Sequence, residues 1–400
     1  MAPPPSPALP LLERGAPVPD YLPAIILAEA GIAPPSQSHQ NRRMLSRARP
    51  FQFEQGAVHF PELGLWLDAH RSRSAEEWVV VTHAHADHIA RHKRVILTEP
   101  TARLLRQRLG GRREERILRF GERIELRGPQ GAFALTLLPA GHILGSAMAL
   151  VEWSGGTLLY TGDFRLRPSP ACEPCEFAVA TGCDWLVMET TFGRPEYVFP
   201  PIEQVVSELL NFCHRTLAEG ATPVLLGWTL GKAQELLCHL ADSGLRVLVH
   251  PNIHPLARVY RRSGIRMAPF EPLRVNRLRR EPQPARCVLV CPPSFPRSPE
   301  RAALGPCRFA LATGWALDAG CRYRNGVDAA FPLSDHADFP ELVQFVRQVR
   351  PRCTFTTHGF AADFAASLRD LGFAAEALVA EEQLTFPLGV APQSSRPAGD

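Results

Sequence analysis

Thr82-His83-Ala84-His85-Ala86-Asp87-His88 packs three imidazoles and a carboxylate into one short run. It follows the apolar stretch Trp78–Thr82, which reads as a strand. Alternation along an extended chain puts His83 and His85 on one side. Asp87 and His88 then turn toward a second position as the chain enters a helix. Imidazole with carboxylate suits zinc, and also manganese or iron. Burying so many polar groups with no cation among them would be costly.

The same arrangement recurs along the chain. Leu63–Leu67 ends in Asp68, and Phe133–Leu138 is followed by Pro139-Ala140-Gly141 and His142. Thr157–Thr161 leads to Gly162 and Asp163, Trp185–Met188 to Glu189, and Cys353–Thr357 to His358. α/β sheets place their sites beyond the carboxyl ends of strands, so these residues form one site if the strands are neighbours. A carboxylate such as Asp163 can bridge two ions about 3.5–4 Å apart, and a water between them loses its proton near neutral pH. Taken singly, each such residue is an ordinary turn group, and Asp68 also fits a place behind a ligand. His59, His70 and His92 read as surface residues. Cys172-x-x-Cys175 with Cys183 resembles a zinc knuckle but lacks a fourth ligand, so no structural metal is expected there.

The chain has 400 residues, which suits two domains or one domain with a large insertion. A hydrophobic content of 45% and a charged content of 21% are those of a soluble globular protein. No apolar run approaches ~20 residues, which excludes a transmembrane helix and a membrane partner. Leu22–Ile32 contains Glu29 and lacks a basic flank, which argues against a signal peptide. The ten cysteines then read as reduced thiols of a cytoplasmic protein. Residues 1–48 are rich in Pro, Ala and Ser and read as a disordered extension, with Met44 as an alternative start. Beyond residue 51, strand patterns alternate with helical ones at Thr101–Leu109, Ile202–Leu217 and Lys232–Ala241, which predicts a layered α/β architecture.

A net charge of +4 gives no bulk argument for nucleic acid. Locally, residues 251–290 carry Arg258, Arg261, Arg262, Arg266, Arg274, Arg277, Arg279, Arg280 and Arg286 against Glu271 and Glu281. This stretch reads either as a surface that tracks phosphates or as a solvated arginine-rich face.

The run Thr82–His88 matches the metal signature of the metallo-β-lactamase fold. Ala140-Gly141-His142-Ile143-Leu144-Gly145-Ser146-Ala147 and Tyr160-Thr161-Gly162-Asp163-Phe164 match its next two motifs. Glu189-Thr190-Thr191-Phe192-Gly193, Leu333-Ser334-Asp335-His336-Ala337-Asp338 and Thr357-His358-Gly359 look like the extra motifs of the β-CASP nucleases. Leu230-Gly231-Lys232-Ala233-Gln234-Glu235 resembles a helix start of their inserted domain. The likeness covers residues 51–388 and is similar to that of bacterial ligase-associated DNA exonucleases and messenger-RNA 3′-end processing factors.

The resemblance implies an αββα sandwich formed by residues 49–194 and 316–388. It implies an inserted β-CASP α/β domain at 195–315 and a disordered tail at 389–400. His83, His85 and His142 would hold the first of two divalent ions, zinc or alternatively manganese. Asp87, His88 and His358 would hold the second, and Asp163 would bridge. Asp68 would orient a ligand from behind. His336 would be the general acid and Glu189 would hold its ring; with Asp68 and Asp87 they make up the catalytic set. Ser334, Lys232, Arg258, Arg261 and Arg262 are the substrate-contact candidates. The implied reaction is attack of a metal-activated water on a phosphodiester of single-stranded nucleic acid, leaving a 5′-phosphate. The leading expectation is a DNA-repair exonuclease with a DNA ligase or helicase as functional partner. His358 is a pattern of RNA-processing members, so a ribonuclease is the alternative. A small-molecule ester or thioester hydrolase of the same fold is disfavoured by the long segment between Glu189 and His336. A non-catalytic binding subunit is disfavoured by the complete ligand set.

Overall fold

The structure is a computed structural model that describes residues 49–274 and 287–378. Residues 1–48 and 389–400, with Arg277, Arg279, Arg280 and Arg286, lie outside the described residues. Among the described residues no helix is long and apolar enough to cross a membrane.

The chain first lays down β1 (Gln52–Glu54), β2 (Ala57–Phe60), β3 (Leu65–Leu67), β4 (Trp78–Val80), β5 (Arg94–Thr98) and β6 (Glu114–Leu118) as one sheet in chain order. The pairing is antiparallel through β3 and parallel from there on. A second sheet begins with β7 (Arg123–Gly128), β8 (Gly131–Pro139), β9 (Ala147–Trp153), β10 (Gly156–Tyr160) and β11 (Trp185–Glu189). The chain then leaves to build a third sheet from β12 (Thr222–Leu226), β13 (Arg246–Val249), β14 (Phe270–Pro272), β15 (Cys287–Cys291), β16 (Cys307–Ala312) and β17 (Ala329–Phe331). It returns with β18 (Cys353–Thr357) and β19 (Ala375–Ala377), which complete the second sheet in the order β19-β18-β11-β10-β9-β8-β7.

The first two sheets are packed face to face. Leu65, Leu67, Val80 and Ile96 share a core with Leu135, Leu137, Val151 and Val187. Helix Glu99–Leu109 covers the outer face of the first sheet through Ala102 and Leu105. Helices Phe339–Val349 and Ala361–Asp370 cover the outer face of the second. The layers therefore run helix, sheet, sheet, helices. The third sheet is parallel throughout, in the order β14-β13-β15-β12-β16-β17. Both of its faces are buried, which is why Cys287–Cys291 reads as an unbroken apolar run: Val288 and Val290 face one core, Leu289 and Cys291 the other.

Some expectations are corrected. The third sheet closes with Ala329–Phe331, beyond the boundary drawn at residue 315, because β17 pairs with β16 along Ala310–Ala312. Asp87 and His88 lie on a 3₁₀ turn, Ala86–His88, rather than at a helix start. The strands that deliver the polar residues are split between two sheets. Their ends meet because the sheets stack, with β3 and β4 on one side and β8, β10, β11 and β18 on the other.

Candidate metal centre

His83 Nε2, His85 Nδ1, His142 Nε2 and Asp163 Oδ2 converge on one point. His85 Nδ1 is 3.1 Å from His83 Nε2 and 3.1 Å from His142 Nε2. Asp163 Oδ2 is 3.5 Å from His83 Nε2 and 3.6 Å from His142 Nε2. Tetrahedral zinc with bonds of ~2.0–2.1 Å puts its donors roughly 3.3 Å apart, which these edges bracket.

The outer nitrogens of the rings settle where their protons sit. His142 Nδ1 donates to the Asp335 carbonyl at 2.8 Å, and His85 Nε2 donates to the Leu230 carbonyl at 3.1 Å. Thr82 Oγ1 gives its own proton to Asp68 Oδ2 at 2.6 Å and so accepts from His83 Nδ1 at 3.0 Å. A neutral imidazole has one N–H, so all three inner nitrogens are bare lone pairs aimed at each other. Only a cation between them relieves that arrangement. Burial and the neighbouring imidazole of His142 push His85 down to about 4. Burial and neighbouring imidazoles also lower His83 and His142. Burial works against the Asp163 charge, but His88 and the other imidazoles outweigh it and hold the carboxyl well below its usual range. Neutral rings beside an ionised carboxylate are the protonation states that cation binding requires.

A second group adjoins the first. His88 Nε2 lies 3.4 Å from Asp163 Oδ2 and 3.8 Å from Asp87 Oδ2. The His358 ring centroid is 5.9 Å from that of His88. His358 has φ +57° and Asp68 φ +51°, both left-handed conformations that cost non-glycine residues energy and are retained at sites. Asp68 accepts from Thr82 N at 2.8 Å, from Thr82 Oγ1, and from His88 Nδ1 at 2.8 Å. Its oxygens are thereby committed, so it orients Thr82 and His88 rather than reaching the cation point. Gly162 is forced by this packing: a Cβ there would lie 2.7 Å from Thr82 Oγ1.

His336 Nδ1 donates to Glu189 Oε1 at 2.8 Å. Glu189 also accepts from Phe164 N at 3.1 Å and from Thr191 N at 3.0 Å. It is a fixed anchor for the ring with little left to offer a metal. Burial opposes a charge on His336, but the Glu189 carboxylate outweighs it and pushes the imidazole up to about 10.

His85, Asp87, His88, Asp163, His336 and His358 floor a cleft of about 820 Å³. Its other wall comes from the loops after β12, β15 and β16, so the carboxyl ends of the third sheet face the site. The expected substrate contacts divide, since Lys232 and Ser334 line this cleft. Lys232 is 1% exposed, with its ammonium 2.7 Å from Glu235 Oε2 and 3.5 Å from Asp335 Oδ1. Its charge is consumed inside the protein. Ser334 spends its hydroxyl on the backbone of His336. Arg258, Arg261 and Arg262 lie on helix His254–Arg262 and do not line the cleft; Arg261 stacks on Phe270 instead. His92 is buried and donates to the Ala69 carbonyl, where a surface position was expected. Cys172 donates to the Gly141 carbonyl, Cys183 sits in a core, and Cys175 packs against that same core. Sequence reasoning missed Trp228, Trp315, Arg108 and Arg297 on the cleft walls and the carbonyls of Leu230 and Asp335. Backbone acceptors have no signature in a sequence; the tryptophans did, beside Leu230 and Thr313.

No family model matches the chain. It is 44% identical over 344 residues to a protein of Opitutus terrae named "Probable DNA ligase", covering 86% of this chain and 32% of that protein. It is 30% identical over 181 residues to the "RNase J-like protein" of Methanocaldococcus jannaschii, covering 41% of this chain and 43% of that one. It is 27% identical over 202 residues to "Ribonuclease TTHA0252" of Thermus thermophilus, covering 42% and 44%. The chain thus spans less than half the length of each of these curated relatives. A solved structure of an Enterococcus faecalis protein of unknown function has the same overall fold, with a TM-score of 0.52 and 15% identity over 76% of this chain and 80% of that one. With its motifs in order and His83, His85, His142 and Asp163 gathered at one point, the chain is similar, as these relatives are, to the β-CASP metallo-β-lactamase nucleases.

Proposed function

We propose that the chain is a metal-dependent phosphodiesterase that shortens single-stranded nucleic acid, a DNA-repair exonuclease of the ligase-associated type. The observation that carries this reading is the set of unprotonated imidazole nitrogens around Asp163 at the floor of an open cleft, with His336 beside them. On this reading the two packed sheets are the metallo-β-lactamase αββα sandwich and the third sheet is the β-CASP insertion. The protein works in the cytoplasm. His83, His85 and His142 hold one divalent cation and Asp87, His88 and His358 a second, with Asp163 shared; zinc suits the donors, and manganese is the alternative. When bound, such cations supply Lewis acidity and a water that is deprotonated near neutral pH.

The remaining steps belong to side chains of this chain. Asp68 keeps His88 and Thr82 in orientation. Glu189 takes the Nδ1 proton side of His336 and leaves its Nε2 toward the cleft. The protonated His336 gives its Nε2 proton to the departing 3′ sugar oxygen as its bond to phosphorus breaks, and the phosphate stays on the 5′ end of the fragment downstream of the cut.

The match to a protein named for DNA ligation, over most of this chain, supports the DNA reading and a ligase or helicase as functional partner. A ribonuclease is the second reading, supported by the names of two other relatives and by His358 beside His88. A matched pair of 5′-phosphorylated single strands, one DNA and one RNA, incubated with zinc- or manganese-loaded protein, decides between them. Shortening of DNA alone, abolished in Asp163→Ala, is expected. Shortening of RNA alone overturns the repair reading. Cleavage of neither by metal-loaded protein overturns both and returns the fold to small-molecule esters.

A further inference from the structure

The cleft holds two large side chains that phosphodiester chemistry leaves unused. Trp228 is 65% exposed and Trp315 is 39% exposed. The other tryptophans, Trp66, Trp78, Trp153 and Trp185, lie in cores or pack against them. An indole left in water forgoes the burial that most aromatic side chains gain on folding. Here both exposed indoles line the cleft that contains Asp163 and His336.

Their anchoring differs and is informative. Trp315 sits on the 3₁₀ turn Gly314–Leu317 after β16. It packs on Phe192 with centroids 4.7 Å apart and on Tyr197 at 5.6 Å. Phe192 in turn lies 6.2 Å from the His336 ring. The indole is thus held rigidly from behind, on the side of the acid. Trp228 lies in the loop after β12, two positions before Leu230, whose carbonyl holds His85. It belongs to the cation side. Arg108 and the exposed Arg297 line the same cleft and complement a polyanion.

We propose that Trp228 and Trp315 are base-stacking platforms for unpaired nucleobases on either side of the scissile phosphate. This rests on the nuclease reading above and deepens it: the cleft selects a single strand by its bases as well as its phosphates. Every base has a π-face, so such contacts are tolerant of sequence. A base inside a duplex is already stacked and paired and cannot offer that face without disruption.

The test uses zinc-loaded protein and a short 5′-phosphorylated oligothymidylate with a nuclease-resistant phosphorothioate backbone. The same backbone with abasic residues, and the same strand in a blunt duplex, are the comparison probes. The expected result is that thymidylate quenches indole fluorescence and binds more tightly than the abasic chain or the duplex. Trp228→Ala and Trp315→Ala should each weaken thymidylate binding by roughly 5- to 150-fold and leave abasic binding unchanged. Trp→Phe at either position should restore most of the loss. A variant that misfolds would lose abasic binding too, and the Phe variant then decides. Equal affinity of the parent for thymidylate and abasic chains, or Ala variants that bind thymidylate like the parent, overturns the stacking proposal alone. Failure of the parent to bind any of the probes overturns the nuclease reading with it.

Discussion

His85 Nε2 lies 3.1 Å from the carbonyl oxygen of Leu230, a residue 145 positions later in the chain. That bond fixes which nitrogen of His85 carries the proton and so leaves Nδ1 bare at the cation point. His142 is held in the same way by the carbonyl of Asp335, 193 positions later. Two of the three converging imidazoles therefore take their orientation from the segment around the third sheet and its exit, not from the strands that carry them. Docking of that segment and cation binding are linked: each favours the arrangement the other needs.

Gly231 is the place to test this linkage. It has φ +85°, and a Cβ there would lie 2.5 Å from Ile143 Cγ2 and 3.5 Å from His85 Nε2. Gly231→Ala should lower stability by ~1–3 kcal/mol, because the loop must move and the backbone suits only glycine. The Leu230 carbonyl moves with it, so zinc affinity should fall as well. Denaturant unfolding in the presence and absence of zinc reads both. An unchanged zinc affinity would show that the loop does not orient His85.

Thr82→Val isolates the other support. Thr82 Oγ1 accepts from His83 Nδ1 and donates to Asp68. Valine keeps the shape and leaves a buried N–H and a buried carboxylate each short of a partner. Groups that orient a ligand from behind are worth roughly 10- to 100-fold in metal affinity, and a loss of that size is expected in a chelator competition. Affinity equal to that of the parent would mean His83 is held by packing alone.

Most of this site was legible because its residues lie next to strand ends, where period-2 apolar runs stop and polar groups begin. Cys353–Thr357 was bounded as observed, and His358 follows it directly. The start of helix Glu99–Leu109 was missed by two residues because its cap is Thr98, a strand residue whose hydroxyl turns to Thr101 N. Lys232 and the arginines of helix His254–Arg262 share one ambiguity. Positive charge in a sequence does not say whether it faces solvent, an aromatic ring or a buried carboxylate, and Lys232 faces the last. Trp228 and Trp315 escaped notice because an aromatic residue after a strand is more often core than cleft.

The pair His336 and Glu189 separates binding from chemistry. Neither His336 Nδ1 nor the Glu189 oxygens are free to hold a cation, since they hold each other and nearby N–H groups. His336→Ala should therefore retain metal content and lose ~10²- to 10⁴-fold in turnover, the range typical of a missing general acid. Glu189→Gln should retain metal and lose less, since the amide can still accept from Nδ1. Full activity of a metal-loaded His336→Ala protein would remove the acid role.

The buried ion cluster behind the site gives a prediction about acid stability. Glu235 Oε1 is 2.9 Å from Arg165 Nη1, and Glu235 Oε2 is 2.7 Å from Lys232 Nζ. Burial alone would raise its pKa, but Arg165 and then Lys232 outweigh it and bring the carboxyl from 4.5 down to about 2. A carboxyl depressed in the folded state contributes stability that is full above its unfolded value and is lost as pH falls toward the folded value. The contribution should thus be complete above pH 4.5 and decline between 4.5 and about 2. Glu235→Gln leaves the buried Arg165 without its carboxylate and Lys232 with Asp335 alone, and should cost about 3–5 kcal/mol at neutral pH. The gap between parent and variant, read from urea midpoints at a series of pH values, should close across that same window as the parent's own carboxylate is protonated. A gap that stays constant down to pH 2 would mean that the cluster's charge does not stabilise the fold and that the variant's deficit comes from packing.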